Sequence, residues 1–163
     1  MEEIEKIILY TYPASEKLTG SIRYPASQDE AKFSLTYAAA VALLTANFTL
    51  GDLYRAADMN AMVRRLIGLM EIQVRPELED RKNMIRGARM KLILKDGTNR
   101  ESYVEVPKGE KKFPLTPADM RRKLEACGEG LLTEKQQDRI FRCAIEFGEG
   151  TNLTDLFLYT VLQ

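Results

Sequence analysis

The sequence predicts an α+β fold: a two-layer sandwich with a mostly antiparallel sheet and helices packed on one face. Three observations predict it. Short β-branched or alternating stretches lie at the start and middle of the chain, helical patterns surround them, and the two kinds do not alternate regularly. A chain of 163 residues suits one domain with a core of its own. We therefore expect residues 1–163 to form a single domain.

The chain begins with a strand. Residues Ile4 to Tyr12 are rich in β-branched and aromatic side chains, and both faces of the stretch are apolar enough for a central position in the sheet. Pro13 ends it. The polar stretch from Ala14 to Pro25 is predicted to be a connection with one irregular turn.

A long central helix is predicted from Pro25 to Leu44, ending near Ala46 and Asn47. Ser27 is a good N-cap, and Glu30 stands at the position that closes a capping box. From Ala31 onward the stretch is almost entirely apolar. Since a helix that is apolar all round is usually buried all round, we expect it to lie at the centre of the domain.

A short helix, an amphipathic helix and a strand are predicted next. The short helix spans Thr49 to Ala57. The strand spans Glu71 to Arg75, where apolar and polar residues alternate before Pro76. The amphipathic helix has apolar residues three and four positions apart: Met59, Met62, Val63, Leu66, Ile67 and Met70.

A β-hairpin follows the charged, exposed stretch from Glu77 to Gly87. Its strands are predicted from Met90 to Leu94 and from Tyr103 to Val106, joined through the turn at Asp96-Gly97. The polar loop after it, Lys108 to Lys112, has two interpretations. It is a solvated exit from the hairpin, which the residues favour, or a loop that binds an anion.

Three helices are predicted to close the chain, each with its own start signal. Thr116 precedes Pro117, Thr133 precedes Gln136 by three positions, and Asn152 precedes an apolar segment. The second of these helices carries a stripe that we expect to be buried: Ile140, Phe141, Ala144 and Ile145.

The composition excludes several classes of function. The 24 basic and 24 acidic residues balance, so nucleic acid and anionic membranes are not expected partners. No apolar run is long enough to cross a membrane, and the N-terminus lacks signal-peptide features, which predicts a cytoplasmic protein. Cys127 and Cys143 are interpreted as reduced, half-buried thiols, and neither a metal nor a cofactor is expected.

The chain contains no histidine, so any acid–base chemistry must use lysine, tyrosine or carboxylates. Tyr37 stands out because it places a hydroxyl within an otherwise apolar stretch. Two roles stay open for it. The residues alone favour a structural tyrosine bonded to a carbonyl, and the other role is a functional side chain.

Two passages resemble the MmgE/PrpD family. PASQDEAKFSLTYAAAVALL (residues 25–44) is similar to the family's P-x-s-x-x-E-A-k-F-S-l-x-Y segment. Residues 95–127, KDGTNRESYVEVPKGEKKFPLTPADMRRKLEAC, are similar to its strand, D-G turn, strand, P-K-G loop and following helix. The resemblance covers the chain from about Ile4 onward and only the family's C-terminal α+β domain, often called the lid.

The resemblance implies a function. Members include 2-methylcitrate dehydratase of propionate metabolism, cis-aconitate decarboxylase and iminodisuccinate epimerase, lyases and isomerases that act on small di- and tricarboxylates without a metal. Tyr37 corresponds to a tyrosine that lines the family's active site, which implies that Tyr37 is a catalytic and substrate-binding residue. Its hydroxyl would donate a hydrogen bond to a carboxylate or to developing enolate charge.

The resemblance also implies a partner. The family's catalytic histidines belong to a helical N-terminal domain, so this chain is expected to be inactive alone and to act with that domain or subunit. The chain begins at the first lid strand, and a fragment, a split subunit and a remnant are all kept open. Asn47 replaces the family's usual D-G pair and is expected to take the left-handed cap.

The alternative function is a non-catalytic interaction module that forms a homodimer. A third, weaker hypothesis is an independent small-acid binding domain that uses Tyr37 and the basic loop.

Overall fold

The computed structural model describes residues 1–148, 152, 154 and 157. The chain divides into two compact units, Met1–Phe113 and Pro114–Gln163. The single domain over residues 1–163 stays a prediction.

Six strands lie in residues 1–113: β1 (Ile4–Thr11), β2 (Met70–Val74), β3 (Glu79–Asp80), β4 (Ile85–Arg86), β5 (Ala88–Leu94) and β6 (Asn99–Val104). The main sheet has the order β2-β1-β5-β6, and β3 and β4 form a separate ribbon. β1 runs parallel to β2 and antiparallel to β5, which in turn runs antiparallel to β6. The predicted central strand and hairpin are thereby confirmed, but the second strand of the hairpin is Asn99–Val104 rather than Tyr103 to Val106, because the Asp96-Gly97 turn is tight and pairing resumes directly after it.

Five α-helices lie in the same residues: α1 (Pro13–Thr19), α2 (Gln28–Lys32), α3 (Leu35–Thr45), α4 (Leu50–Tyr54) and α5 (Ala61–Leu69). A short 3₁₀ helix, Pro76–Leu78, follows β2. α5 contacts both α3 and β1. The core lies between these helices and the sheet face that carries Ile7 and Leu9, and both side chains are buried. The opposite face carries ion pairs, Lys6 with Glu71 at 2.6 Å among them. The predicted α+β sandwich is confirmed.

The predicted central helix is in fact two helices. α2 ends at Lys32 and α3 begins at Leu35, because Ser34 has an extended backbone and its hydroxyl accepts a hydrogen bond from Tyr37 N at 3.2 Å, as an N-cap does. Ser27 caps α2 as predicted. The Glu30 carboxylate, however, accepts its hydrogen bond from Ala26 N at 2.7 Å rather than from Ser27 N.

Two further expectations for α3 are wrong. The left-handed residue at its end is Ala46, with φ 57°, and not Asn47. The helix is also not buried on all sides. Thr36, Tyr37, Ala40 and Val41 are buried, but Ala42 is exposed and Leu35, Ala39 and Leu43 are partly so. These last four side chains line an open groove of about 390 Å³ beside β1, β5 and β6.

The connections hold more structure than predicted. The stretch from Ala14 to Pro25 contains α1, because Pro13 begins a helix at its N1 position as well as ending β1. The charged stretch from Glu77 to Gly87 contains the β3–β4 ribbon, and Leu78 within it is buried.

The second unit contains α6 (Pro117–Gly128) and α7 (Glu134–Ile145) among its described residues. Thr116 and Thr133 cap them as predicted. Arg121 joins the two helices through Asp138 at 2.5 Å. The predicted stripe on α7 is not buried in the described part of the chain, since Ala144 and Ile145 are exposed. Both cysteines are free, but Cys127 is exposed rather than half-buried.

The last predicted helix lies outside the described residues, except at three positions. Of these, Asn152 accepts a hydrogen bond from Thr154 N at 2.9 Å. Across the described residues, no helix is long and apolar enough to cross a membrane. The cytoplasmic location stays a prediction.

Candidate functional site

Tyr37 lies in the first turn of α3 and is 2% exposed. Its ring meets that of Phe48 edge-on, with the centroids 5.9 Å apart and the planes at 78°. The Tyr37 hydroxyl donates a hydrogen bond to the Asp52 carbonyl oxygen at 2.6 Å. The tyrosine therefore holds α4 against α3, the structural role that the residues alone favoured.

The start of α4 places charged groups beside this hydroxyl. The Asp52 carboxylate accepts hydrogen bonds from Thr49 N at 2.7 Å and from the Thr49 hydroxyl at 2.8 Å. Arg55 Nη2 donates to its other oxygen at 2.9 Å. Because the Thr49-Asp52 capping box fixes the carboxylate, Asp52 also fixes the position of the Arg55 guanidinium.

Burial raises the pKa of the Tyr37 hydroxyl, and the negative charge of Asp52 raises it further, while Arg55 lowers it. The phenol is therefore neutral at physiological pH. A neutral phenol can donate one hydrogen bond, and here the Tyr37 hydroxyl donates it to Asp52 O. The hydroxyl oxygen can still accept a hydrogen bond from another donor.

A cleft of about 260 Å³ opens over this group. Its charged side chains are one guanidinium and two carboxylates, those of Arg55, Asp52 and Asp58. Its uncharged polar side chains are Tyr37, Thr45 and Asn60. Val41, Met59 and Val63 form the apolar part of its wall. The cleft therefore offers hydrogen bonds and one cation to a small polar ligand.

Asp52 gives the cleft a pH dependence. Its burial raises the pKa of the carboxyl, but the hydrogen bonds from Thr49 and the Arg55 guanidinium outweigh burial and lower it overall. A pKa that is lower in the folded state stabilises the fold above the unfolded pKa, and this contribution is lost as the pH falls through the folded value.

We therefore expect Asp52→Asn to lower the free energy of unfolding near pH 7, and we expect the difference from the wild type to shrink as the pH falls below the ordinary aspartate pKa of about 3.9 and through the lower folded value. Urea unfolding of both proteins across this pH range measures the difference. A difference that is constant with pH would contradict the assignment to the Asp52 charge.

The other side chains of the Tyr37 segment have structural roles. Ser34 caps α3, its hydroxyl lies 3.4 Å from that of Thr36, and the Thr36 hydroxyl donates to Arg23 O at 2.9 Å. Lys32 is exposed and pairs with Asp29 at 2.7 Å. None of these three side chains, Ser34, Thr36 and Lys32, lines the Tyr37 cleft.

The basic loop from Lys108 to Lys112 does not line the Tyr37 cleft. Lys111 and Lys112 line another cavity, which has no lining residue in common with that cleft.

Sequence reasoning did not identify Arg55 and Asp52 as neighbours of Tyr37. The T-x-x-D capping pattern at Thr49 was visible, but the hydrogen bond that links α4 to Tyr37 on α3 was not. Among the described residues, no three histidine, cysteine, aspartate or glutamate side chains lie together as a metal site would require.

Comparison with protein families places this chain. The sequence profile of the MmgE/PrpD C-terminal domain matches residues 1–146, which covers both of the passages that resemble the family and all of the elements from β1 to α7. No curated protein matches the chain. Because the profile covers most of its length, the chain belongs to the MmgE/PrpD family, as a C-terminal domain.

Proposed function

We propose that this chain is the C-terminal domain or subunit of a metal-independent lyase or isomerase that acts on a small di- or tricarboxylate, as 2-methylcitrate dehydratase does. The family match over residues 1–146 carries the proposal. The chain works together with a helical MmgE/PrpD domain, which supplies the acid–base groups that a chain without histidine lacks.

Tyr37 is the catalytic and substrate-binding residue that this chain contributes. Its neutral hydroxyl borders a cleft that also contains the Arg55 guanidinium, a group suited to a carboxylate. To donate to a substrate oxygen, the hydroxyl has to release the Asp52 carbonyl. The substrate therefore competes with the bond that holds α4 in place.

The charges of the cleft support the need for a partner. Asp52 and Asp58 outnumber Arg55, so the cleft of this chain is net negative, and a polycarboxylate is repelled unless further cations face it. A facing domain that supplies basic side chains would reverse the sign. The complete site is thus shared between two domains, with the hydroxyl on one side and the compensating positive charge on the other.

Co-expression with a helical MmgE/PrpD domain tests the proposal. The two chains should co-purify, and the complex should dehydrate or decarboxylate a polycarboxylate, while each chain alone is inactive. NMR in deuterated water detects the exchange of a C–H proton beside a substrate carboxylate in a dehydration or an epimerisation, and the uptake of deuterium at carbon in a decarboxylation.

The control is the same helical domain expressed with an unrelated α+β protein. A failure of the two chains to associate would overturn the split-subunit proposal. A stable homodimer of this chain under the same conditions would instead favour the interaction module.

A further inference from the structure

A second cavity, of about 410 Å³, lies away from Tyr37, between the turn that joins β3 to β4 and the loop that follows β6. Lys82, Asn83 and Met84 line it from the turn. Val106, Glu110, Lys111 and Lys112 line it from the loop. Two segments that are distant in sequence therefore form one recess, and buried Val106 closes its apolar side.

Hydrogen bonds and one ion pair hold the two segments in place. Asn83 donates to the Asp80 carboxylate through its backbone N at 3.1 Å and through Nδ2 at 2.6 Å, and Met84 has the left-handed backbone angle φ 57°. On the other side, Gly109 N donates to Phe113 O at 2.7 Å, which closes the loop on itself. Arg86 on β4 reaches Glu110 at 3.9 Å. The shape of the recess is thus held by backbone hydrogen bonds together with the side chains of Asn83, Asp80 and Glu110.

The charge within the recess is positive. Three lysines line it against one glutamate, and that glutamate faces Arg86. Within the described part of the chain, Lys82 and Lys111 form no ion pair, and Lys112 lies near enough to Asp80 to contribute to the lowering of its pKa. In a chain with no net charge, this is a local concentration of cations whose charge the protein itself leaves largely uncompensated.

We propose that this recess, lined by Lys82, Lys111 and Lys112, binds a small anion that carries two or three carboxylates. Flexible ammonium groups on two facing segments can each contact a different carboxylate, and a ligand with several charges gains from all of them at once. The charge pattern requires a multivalent anion, and the choice of carboxylates over phosphate rests on the proposed function. The recess binds molecules of the proposed substrate class on the surface of this chain, at a place separate from the Tyr37 cleft.

Titration of the isolated full-length chain tests the proposal, with citrate as the probe. Calorimetry should detect citrate binding that weakens as salt is added, and acetate should bind much more weakly. Citrate should shift the backbone NMR signals of Lys82, Asn83, Lys111 and Lys112. We expect Lys82→Gln/Lys111→Gln to weaken citrate binding by about tenfold, since two charge-assisted contacts are lost.

The control variant Lys95→Gln/Lys135→Gln removes two exposed lysines elsewhere and should leave citrate binding unchanged. The variant Lys82→Arg/Lys111→Arg keeps the charge and should retain binding, which separates charge from folding. An absence of citrate binding, or an equal loss in the control, would overturn the proposal. Inorganic phosphate that binds as tightly as citrate, with the same sensitivity to the lysines, would overturn the choice of carboxylates.

This titration is independent of the proposed enzyme. It needs no helical partner, and Tyr37→Phe should leave citrate binding in the recess unchanged. If the co-expressed complex is inactive while the lysine variant still loses citrate binding, the recess stands and the proposed function fails. If the complex is active and citrate does not bind the isolated chain, the proposed function stands and the recess fails.

Discussion

Replacement of Leu66 by alanine should lower the free energy of unfolding by about 2–5 kcal/mol, the usual cost of a buried leucine whose cavity cannot collapse. Leu66 lies on α5 and is 0% exposed, within the core cluster that joins α3, α5 and the sheet. A domain of this size has a total stability of about 5–15 kcal/mol, so the variant should lose a large share of it. Urea unfolding followed by circular dichroism measures the change.

The matched control for this prediction is Leu18→Ala. It makes the same chemical change on α1, where the side chain is 61% exposed, and should alter the free energy of unfolding by less than about 0.5 kcal/mol. If the two variants lose the same free energy, then the helices do not pack on the sheet as described.

Replacement of Tyr37 by phenylalanine should lower the turnover of the complex with the helical domain by about 100-fold, the usual cost of one hydrogen-bond donor at developing negative charge. Phenylalanine keeps the ring and its edge contact with Phe48, so the change removes only the hydroxyl. The Asp52 carbonyl then loses its donor, which should also lower the free energy of unfolding by about 1–3 kcal/mol. Activity therefore has to be assayed well below the unfolding temperature.

The control for Tyr37 is Tyr54→Phe on α4. The Tyr54 ring is 64% exposed, so loss of its hydroxyl should affect neither stability nor turnover. A Tyr37→Phe complex that is less stable yet fully active would contradict the catalytic role and leave the tyrosine with its structural role alone. Full activity together with full stability would contradict both roles.

Most of the fold could be predicted because local patterns determine its elements. The alternation from Glu71 to Arg75, the Asp96-Gly97 turn and the caps at Thr116 and Thr133 each indicate an element without reference to the rest of the chain. The resemblance to the MmgE/PrpD family added a catalytic role to the structural one that the residues alone favoured for Tyr37. Neither the pattern nor the resemblance indicated that the central helix is interrupted, because serine, although favoured as an N-cap, is also tolerated within a helix, and the apolar stretch continues past Ser34. In the structure Ser34 accepts from Tyr37 N as an N-cap, and the neighbouring Thr36 hydroxyl bonds to Arg23 O, a contact from outside the segment.

The surroundings of Tyr37 could not be predicted for a related reason. The Asp52 carbonyl meets the hydroxyl, and Arg55 lies beside the Asp52 carboxylate, because of where the fold places α4, which contacts α2. Nothing in the residues from Thr49 to Arg55 specifies that position. The basic recess likewise needs two segments that the sequence separates by a hairpin. The pattern correctly indicated that the Lys108–Lys112 loop is exposed, but its pairing with the β3–β4 turn depends on where the chain folds back.

The position of β1 has a consequence for how the chain folds. This strand lies in the interior of the sheet, and both of its neighbours come much later in the chain: Ile7 pairs with Met70 and Ile4 with Leu94. Closing so long a loop costs conformational entropy before the contacts within the sheet form and compensate for it. The first unit should therefore fold slowly for its size, and a ribosome should release nearly all of it before β1 finds both of its neighbours.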